Sequence, residues 1–442
     1  MTAHQQPLPA GGPRREQAAI AEIAHTHANS LTVGVLVAFF LLAIAIVPIA
    51  ELIAVRVRGG EGVAVAWSHL AGIPNAIRES DAEVERERRW DRILSANRVV
   101  LLRLTDFERA LENESLLARS LRPSTQLMLT RWLGAGNERV YPGRDRWLFY
   151  RQDVDYVVGR PFLDTDEMKR RIEATPEWQT TPQPDPRLAI VRFRRDLEAR
   201  GIALVVVPTP LKPAIHPELL ARRDVDASTA LQNASFDSFV EDLRREGVHV
   251  FDPSEALTSA RFSGPQYLST DTHWRPESME TVADALGNVL LNHSRLEAVA
   301  DPGYRVERIE VRNTGDIARM LDLPETATLF PAEAVWLRRI VLADGSSWRS
   351  ARDADVLVLG DSFSNIYALE SMGWGTSAGF VEQLSYVLRR PVDRLLQNDQ
   401  GAFATREMLQ RDPARLDGKR VVVYQFAVRE LMFGDWRILQ LP

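Results

Sequence analysis

Two short motifs carry residue types that together perform acyl chemistry. The first is Gly360-Asp361-Ser362-Phe363-Ser364, directly behind the apolar run Asp355–Leu359 (DVLVL). In an open α/β sheet, ligands bind at the carboxyl ends of the strands. A small residue at a sharp strand-to-helix turn lets a serine oxygen face that cleft, where backbone N–H groups stabilise an oxyanion. The same Asp and Ser also suit a plain helix cap, so alone the tripeptide leaves both readings open. Ser364 suits support of the turn.

The second motif is Ser269-Thr270-Asp271-Thr272-His273-Trp274, just before Pro276. On an extended segment, residues two apart point the same way. Asp271 can then hold the His273 ring in one tautomer and stabilise its imidazolium, while the other ring nitrogen takes a proton from a serine. A capping Asp beside a surface His, or half of a D-x-H metal site, fits the same letters. No further His or carboxylate cluster at ligand spacing supports a metal. His25 and His27 precede the apolar segment, and His216, His249 and His293 lack an adjacent acid in a comparable turn. Asp271, His273 and Ser362 complete a triad in the order Asp–His–Ser, which is admissible because triads are defined by geometry and role.

Positioning these groups requires a scaffold, and the apolar pattern supplies one. Ile202–Val207, Val248–Phe251, Asp355–Leu359, Val392–Leu396 and Arg420–Tyr424 read as buried strands. Helical patterns at Ala189–Arg200, Phe236–Arg245 and Glu277–Leu291 alternate with them, the last after a plausible proline start. Strands that are apolar throughout and alternate with helices predict a mostly parallel sheet covered on both faces. Gly143–Gln152 (GRDRWLFYRQ) adds an aromatic, strand-like segment.

The 442 residues exceed one small domain, and 45% apolar with 26% charged content is ordinary for a folded chain. A net charge of −6 argues against a general nucleic-acid binder. The absence of cysteine excludes thiol catalysis, disulfides and thiolate metal sites. Leu31–Ala50 holds twenty residues without a charge, enough to span a bilayer as a helix. Its length and its thirty-residue lead favour an uncleaved signal anchor over a cleaved peptide. Arg14 and Arg15 before it balance Arg56 and Arg58 after it, so charge does not set its orientation. The expected organisation is a disordered tail at 1–30, a transmembrane anchor at 31–52, a helical stalk at 53–135 and a catalytic domain at 136–442. Within the stalk, breaks are expected at Arg122-Pro123 and at Gly134.

GDSFS with DTHW about ninety residues earlier resembles the SGNH-hydrolase-like domain of the AlgJ/AlgX-type alginate O-acetyltransferases. Segments 143–150 (GRDRWLFY), 206–218 (VVPTPLKPAIHPE), 314–324 (TGDIARMLDLP), 378–384 (AGFVEQL) and 422–431 (VVYQFAVREL) extend the resemblance over roughly residues 120–442. The resemblance implies a circularly permuted, flavodoxin-like α/β fold, in which the Asp–His block precedes the serine block. A lone anchor with nothing after the catalytic fold places the chain nearer AlgJ. The implied reaction needs no cofactor. It moves acetyl groups through Ser362, with His273 as base and Asp271 orienting it, onto an exported polysaccharide. The implied location is the periplasmic side of the inner membrane. Implied partners are a membrane-bound O-acyltransferase as acetyl donor and other secretion proteins.

Two departures from the family pattern stand out. Gly401 is the candidate for the second oxyanion donor, but Gln425-Phe426 stands where an Asn belongs. Lys212 and Arg429 suit either an anionic sugar or a structural ion pair. Trp274 and Trp374 suit either sugar stacking or core packing. An acetylesterase with the same triad and a non-catalytic component of a secretion complex are the alternative functions.

Overall fold

The computed structural model describes residues 29–58, 62–83, 89–176, 180–221, 228–293, 296 and 298–441. The chain divides into two compact units, split between Leu121 and Arg122. In the first, the described residues form helices Ser30–Arg58, Gly62–Ala71, Ile73–Glu83 and Arg89–Glu114. The two middle helices pack on Arg89–Glu114, with the Trp67 and Phe107 rings 5.3 Å apart. The apolar stripe expected of a stalk is therefore used at least partly within its own helices.

Of the tail expected at 1–30, residues 1–28 lie outside the described residues, and Ser30 already begins the first helix. Among those described, no helix is long and apolar enough to cross a membrane. Helix Ser30–Arg58 contains the apolar run, but its side chains at 43–45, 47–48, 50–52 and 54–58 are outside the description. Helix Leu116–Leu133 runs through Pro123, where a break was expected. A proline removes one ladder donor, and here the turns on either side carry the helix across it. The helix ends at the second expected break, where Gly134 takes a φ of +61°.

The second unit is built on five parallel strands: β3 (Ala203–Thr209), β4 (His249–Val250), β7 (Val356–Gly360), β8 (Asp393–Leu396) and β9 (Val421–Ala427), in the order β4-β3-β9-β7-β8. All five were expected from their apolar runs. β7 and β9 are buried at every position, which is why they read as unbroken runs rather than alternating ones. Helix Pro186–Glu198 starts on a proline beside Asp185, whose carboxylate accepts the Arg187 N–H at 3.0 Å. Helix Phe236–Arg245 turns Phe236, Phe239, Val240 and Leu243 inward.

Two antiparallel pairs flank the sheet. β1 (Val140–Pro142) and β2 (Leu148–Tyr150) form one, so the strand-like segment at 143–152 is a turn and a short strand that passes into a helix at Arg151. The other, β5 (Arg305–Asn313) with β6 (Glu333–Val341), was not anticipated from the sequence. It carries the chain from the Asp–His region back towards β7.

Candidate active site

The serine turn is set by what glycine permits. β7 ends at Gly360, where a Cβ would lie 2.5 Å from Ser364 Oγ and 2.9 Å from Gln425 Oε1. Asp361 then caps the four-residue helix Ser362–Asn365 by accepting the Phe363 N–H at 2.9 Å. Its other oxygen accepts the Ala427 N–H at 2.7 Å.

Gln425 completes this clamp from inside β9. Its Oε1 accepts from the Asp361 N–H (3.1 Å) and the Ser364 hydroxyl (2.7 Å). Its Nε2 donates to Thr209 Oγ1 (3.0 Å) and Asp361 Oδ1 (2.9 Å). The side chain standing where the family pattern expects Asn is thus spent on holding the turn. Its signal was a lone polar residue in the buried run VVVYQFA, because a buried amide must find partners. Ser364 supports the turn, as expected.

Asp271 and His273 sit on a loop closed by the Tyr267–Trp274 bridge and by the Leu268 N–H to His273 carbonyl bond of 3.1 Å. Asp271 Oδ1 accepts from His273 Nδ1 at 2.6 Å and from the His273 N–H at 3.1 Å. Asp271 Oδ2 accepts from Trp374 Nε1 at 2.9 Å and from the Asp316 N–H at 3.0 Å. Burial pushes the Asp271 carboxyl up, but the hydrogen bond and charge of His273, with the Trp374 donor, outweigh it and hold the group well below the carboxylate range. Burial lowers the His273 imidazole, yet Asp271 and Asp316 outweigh that and raise it above its ordinary value.

His273 Nε2 is buried and has no hydrogen-bond partner. The Ser362 hydroxyl therefore makes no hydrogen bond to it. The two motifs nevertheless meet. The His273 ring packs on Phe363 with centroids 4.9 Å apart, and Trp274 Nε1 donates to the Phe363 carbonyl at 3.1 Å. In return, the Tyr367 hydroxyl donates to the Trp274 carbonyl at 2.7 Å.

A cavity of about 40 Å³ opens at the carboxyl ends of β7, β8 and β9, bordered by Ser362, Asn398, Gly401, Gln425, Phe426 and Arg429. Gly401 thus borders the same hollow as the serine. Arg429 takes the ion-pair role left open for it and also reaches the cavity wall. It donates to Asp153 Oδ1 at 2.8 Å and also borders the cavity, with its guanidinium 5.7 Å from the Phe363 ring. Burial pushes the Asp153 carboxyl up against the pull of Arg429.

Three candidate sugar contacts, Trp274, Trp374 and Lys212, take the structural alternative left open for them, because each is buried. Trp274 and Trp374 are fully buried, and their N–H groups bond within the site. Lys212 is 1% exposed and donates to the carbonyls of Leu148 (2.8 Å) and Ser269 (3.3 Å). It ties β2 to the loop that carries Asp271 and, being buried, does not face a cavity.

Burial brings the Lys212 ammonium down to about 8, against Asp271, Asp316, Glu333 and Asp153. Above that pH the folded lysine is neutral while the unfolded one, near 10.5, still holds its proton. Stability therefore rises with pH across this window, by up to about 3 kcal/mol. Lys212→Met is expected to remove that rise in urea titrations at pH 7 and pH 9.5. Parallel slopes in the two proteins would contradict the assignment.

Asp316 was not singled out from the sequence. It brings a third ligand-type group to Asp271 and His273, their donor atoms lying within 4.8 Å. Each carboxylate oxygen in the set already accepts a protein hydrogen, which is the arrangement of an acid–base pair.

Residues 140–428 match the family described as SGNH hydrolase-like domain, acetyltransferase AlgX, and the chain belongs to that family. It is 27% identical over 299 residues to the probable alginate O-acetylase AlgJ of Pseudomonas aeruginosa, covering 66% of this chain and 74% of that one. Against the corresponding protein of Pseudomonas putida it is 26% identical over 309 residues, covering 67% and 71%. The solved O-acetyltransferase domain of Pseudomonas putida AlgJ shares the fold, with a TM-score of 0.50 at 23% identity over 66% of this chain and 92% of that domain. The placement nearer AlgJ is borne out.

Proposed function

We propose that this chain is an O-acetyltransferase that moves acetyl groups onto hydroxyls of an exported polysaccharide, alginate or a similar polymer. The observation that carries the reading is the Asp271–His273 pair, bonded at 2.6 Å, with a buried and unpartnered Nε2 beside the serine turn.

Ser362 Oγ attacks the acetyl carbonyl of the donor while His273 Nε2 takes its proton. The Ser362 N–H and the Gly401 N–H hold the oxyanion. Collapse expels the donor's leaving group, which receives the proton from His273 and leaves acetyl-Ser362. A sugar hydroxyl then attacks that ester, and His273 accepts its proton. The second collapse forms the sugar acetate and returns the proton to Ser362. Arg429, on the cavity wall, supplies positive charge towards an anionic acceptor.

The donor partner in this reading is a membrane-bound O-acyltransferase, working with other polymer-secretion proteins. The chain is held at the periplasmic side of the inner membrane by the helix carrying the apolar run. Leu31, Phe39, Phe40 and Leu41 are exposed on that helix, which supports an anchor because such a surface is costly in water.

Full-length protein in detergent should cleave an aryl acetate, and Ser362→Ala should abolish turnover while leaving the folded spectrum intact. Unchanged turnover in the folded variant would end the triad reading. Mass gain of acetyl units on uronate oligosaccharides identifies transfer, whereas free acetate with every acceptor identifies an esterase. A reporter fused to the C-terminus should signal from the periplasm.

A further inference from the structure

The strongest unexplained contacts around the base belong to Asp316 and Thr272. Asp316 Oδ1 accepts the Thr272 N–H at 2.8 Å, and Oδ2 accepts the Thr272 hydroxyl. The same hydroxyl oxygen lies 3.3 Å from His273 Nδ1, and Asp316 Oδ2 lies 3.9 Å from that nitrogen. The strand β5 delivers Asp316 to this point through Gly315, whose N–H donates to Thr270 Oγ1 at 3.2 Å.

A hydroxyl has one proton and two lone pairs. While Asp316 receives the Thr272 proton, the oxygen can only turn a lone pair towards Nδ1. We propose that Asp316 and Thr272 form a second relay to His273: the carboxylate fixes the direction of the Thr272 hydroxyl, which keeps the imidazole proton on Nδ1 and leaves Nε2 free to receive the Ser362 proton. Asp271 is then the direct partner of the base, and Asp316 a positioning residue that acts through Thr272. Its charge also steadies the imidazolium formed when Ser362 is deprotonated. The inference rests on the triad reading above and adds a member to it.

The charged groups around the base come from several elements. Asp271 lies on its own loop, Asp316 on helix Asp316–Met320, Arg429 on helix Arg429–Phe433 and Asp153 on helix Arg151–Val158. Lys212, on Lys212–Ile215, faces Asp271 and Asp316. Only Asp316 reaches Nδ1 through an intervening hydroxyl among the described residues.

Asp316→Asn keeps the shape but turns an amide donor towards Thr272. The hydroxyl must then accept, and its own proton swings towards Nδ1, where it opposes the imidazole N–H. Thr272→Val deletes the hydroxyl at nearly constant volume, and Thr272→Ser restores it. In Asp316→Asn, kcat for aryl acetate should fall about 10-fold or more, as expected when a base is misoriented, with KM within about 2-fold of the parent. The acidic limb of the kcat/KM profile should move to lower pH, because a negative charge beside the imidazolium is lost. Thr272→Val should lose kcat in the same direction, and Thr272→Ser should recover it. The double variant should be no worse than about the worse single one, since both break one relay.

An NMR titration of His273 reads the relay without turnover, so it separates this inference from the reaction assigned above. The His273 pKa should fall in Asp316→Asn. An unmoved His273 pKa and an unmoved acidic limb in folded Asp316→Asn would overturn the relay, as would penalties that simply add. If Ser362→Ala retained turnover while the His273 pKa still moved, the proposed reaction would fail and the relay would stand.

Discussion

Asp271→Asn is expected to cut kcat for aryl acetate by roughly 10³–10⁴-fold, the scale of a triad whose histidine is held in the wrong tautomer. The structure gives the reason. Four donors surround this carboxylate: His273 Nδ1, the His273 N–H, Trp374 Nε1 and the Asp316 N–H. Asparagine has one acceptor oxygen. If its NH₂ faces His273, Nδ1 must become the acceptor and its proton moves to Nε2, where it blocks abstraction from Ser362. If the NH₂ faces Trp374 instead, two donors oppose each other in a buried site, at about 1–3 kcal/mol. The parent enzyme should lose activity as pH falls through a His273 pKa raised above the ordinary histidine value, since only the neutral ring accepts a proton. In Asp271→Asn that limb should move to lower pH. Stopped-flow measurement of aryl acetate turnover from pH 5 to 9 checks both effects, and a folded Asp271→Asn within tenfold of the parent would remove Asp271 from the mechanism.

The largest structural effect is expected from a single methyl group at Gly315. Its φ of −65° and ψ of 164° suit alanine, so backbone preference alone would make Gly315→Ala mildly stabilising. Space decides the other way. A Cβ there would overlap the Thr270 carbonyl and lie 2.5 Å from the Asp271 N. Neither neighbour can rotate away, because both are backbone. Overpacking of this kind costs about 1–3 kcal/mol, and here relief requires moving the segment that holds Asp271. Gly315→Ala should therefore lose stability in urea and lose kcat as well. Gly345→Ala is the control. Gly345 has open space around it but a φ of +83°, so alanine there should cost about 1 kcal/mol and leave turnover alone. A Gly315→Ala protein as stable and active as the parent would mean that the Gly315 turn and the Asp–His loop do not touch as described.

Much of this site was legible because its parts obey local rules. β7 and β9 are buried on both faces and so appear as unbroken apolar runs, and the serine turn follows β7 directly. Asp271 and His273 announce themselves by spacing. The ribbon of β5 and β6 was not read, because Arg305–Asn313 carries five charges and its apolar residues Val306, Ile309 and Val311 keep no strict alternation. That charge load imitates a solvated helix. Asp316 stayed hidden for a different reason. It bonds to Thr272 across forty-four positions, and no local pattern encodes such a pairing. The fates of Trp274, Trp374 and Lys212 were open for the same cause: a large side chain in a loop is assigned to core or cleft only by the chain that folds over it.

The serine turn and the Asp–His loop are joined by two hydrogen bonds of opposite direction, from Trp274 to the Phe363 carbonyl and from Tyr367 to the Trp274 carbonyl. Two such ties through one residue couple the pieces like a hinge pinned at both leaves. In the proposed reaction this ties Ser362 to His273, so motion of the surrounding sheet should carry the two together. In hydrogen–deuterium exchange, the amides of the two segments should open at one common rate, and cutting either tie should let them drift apart.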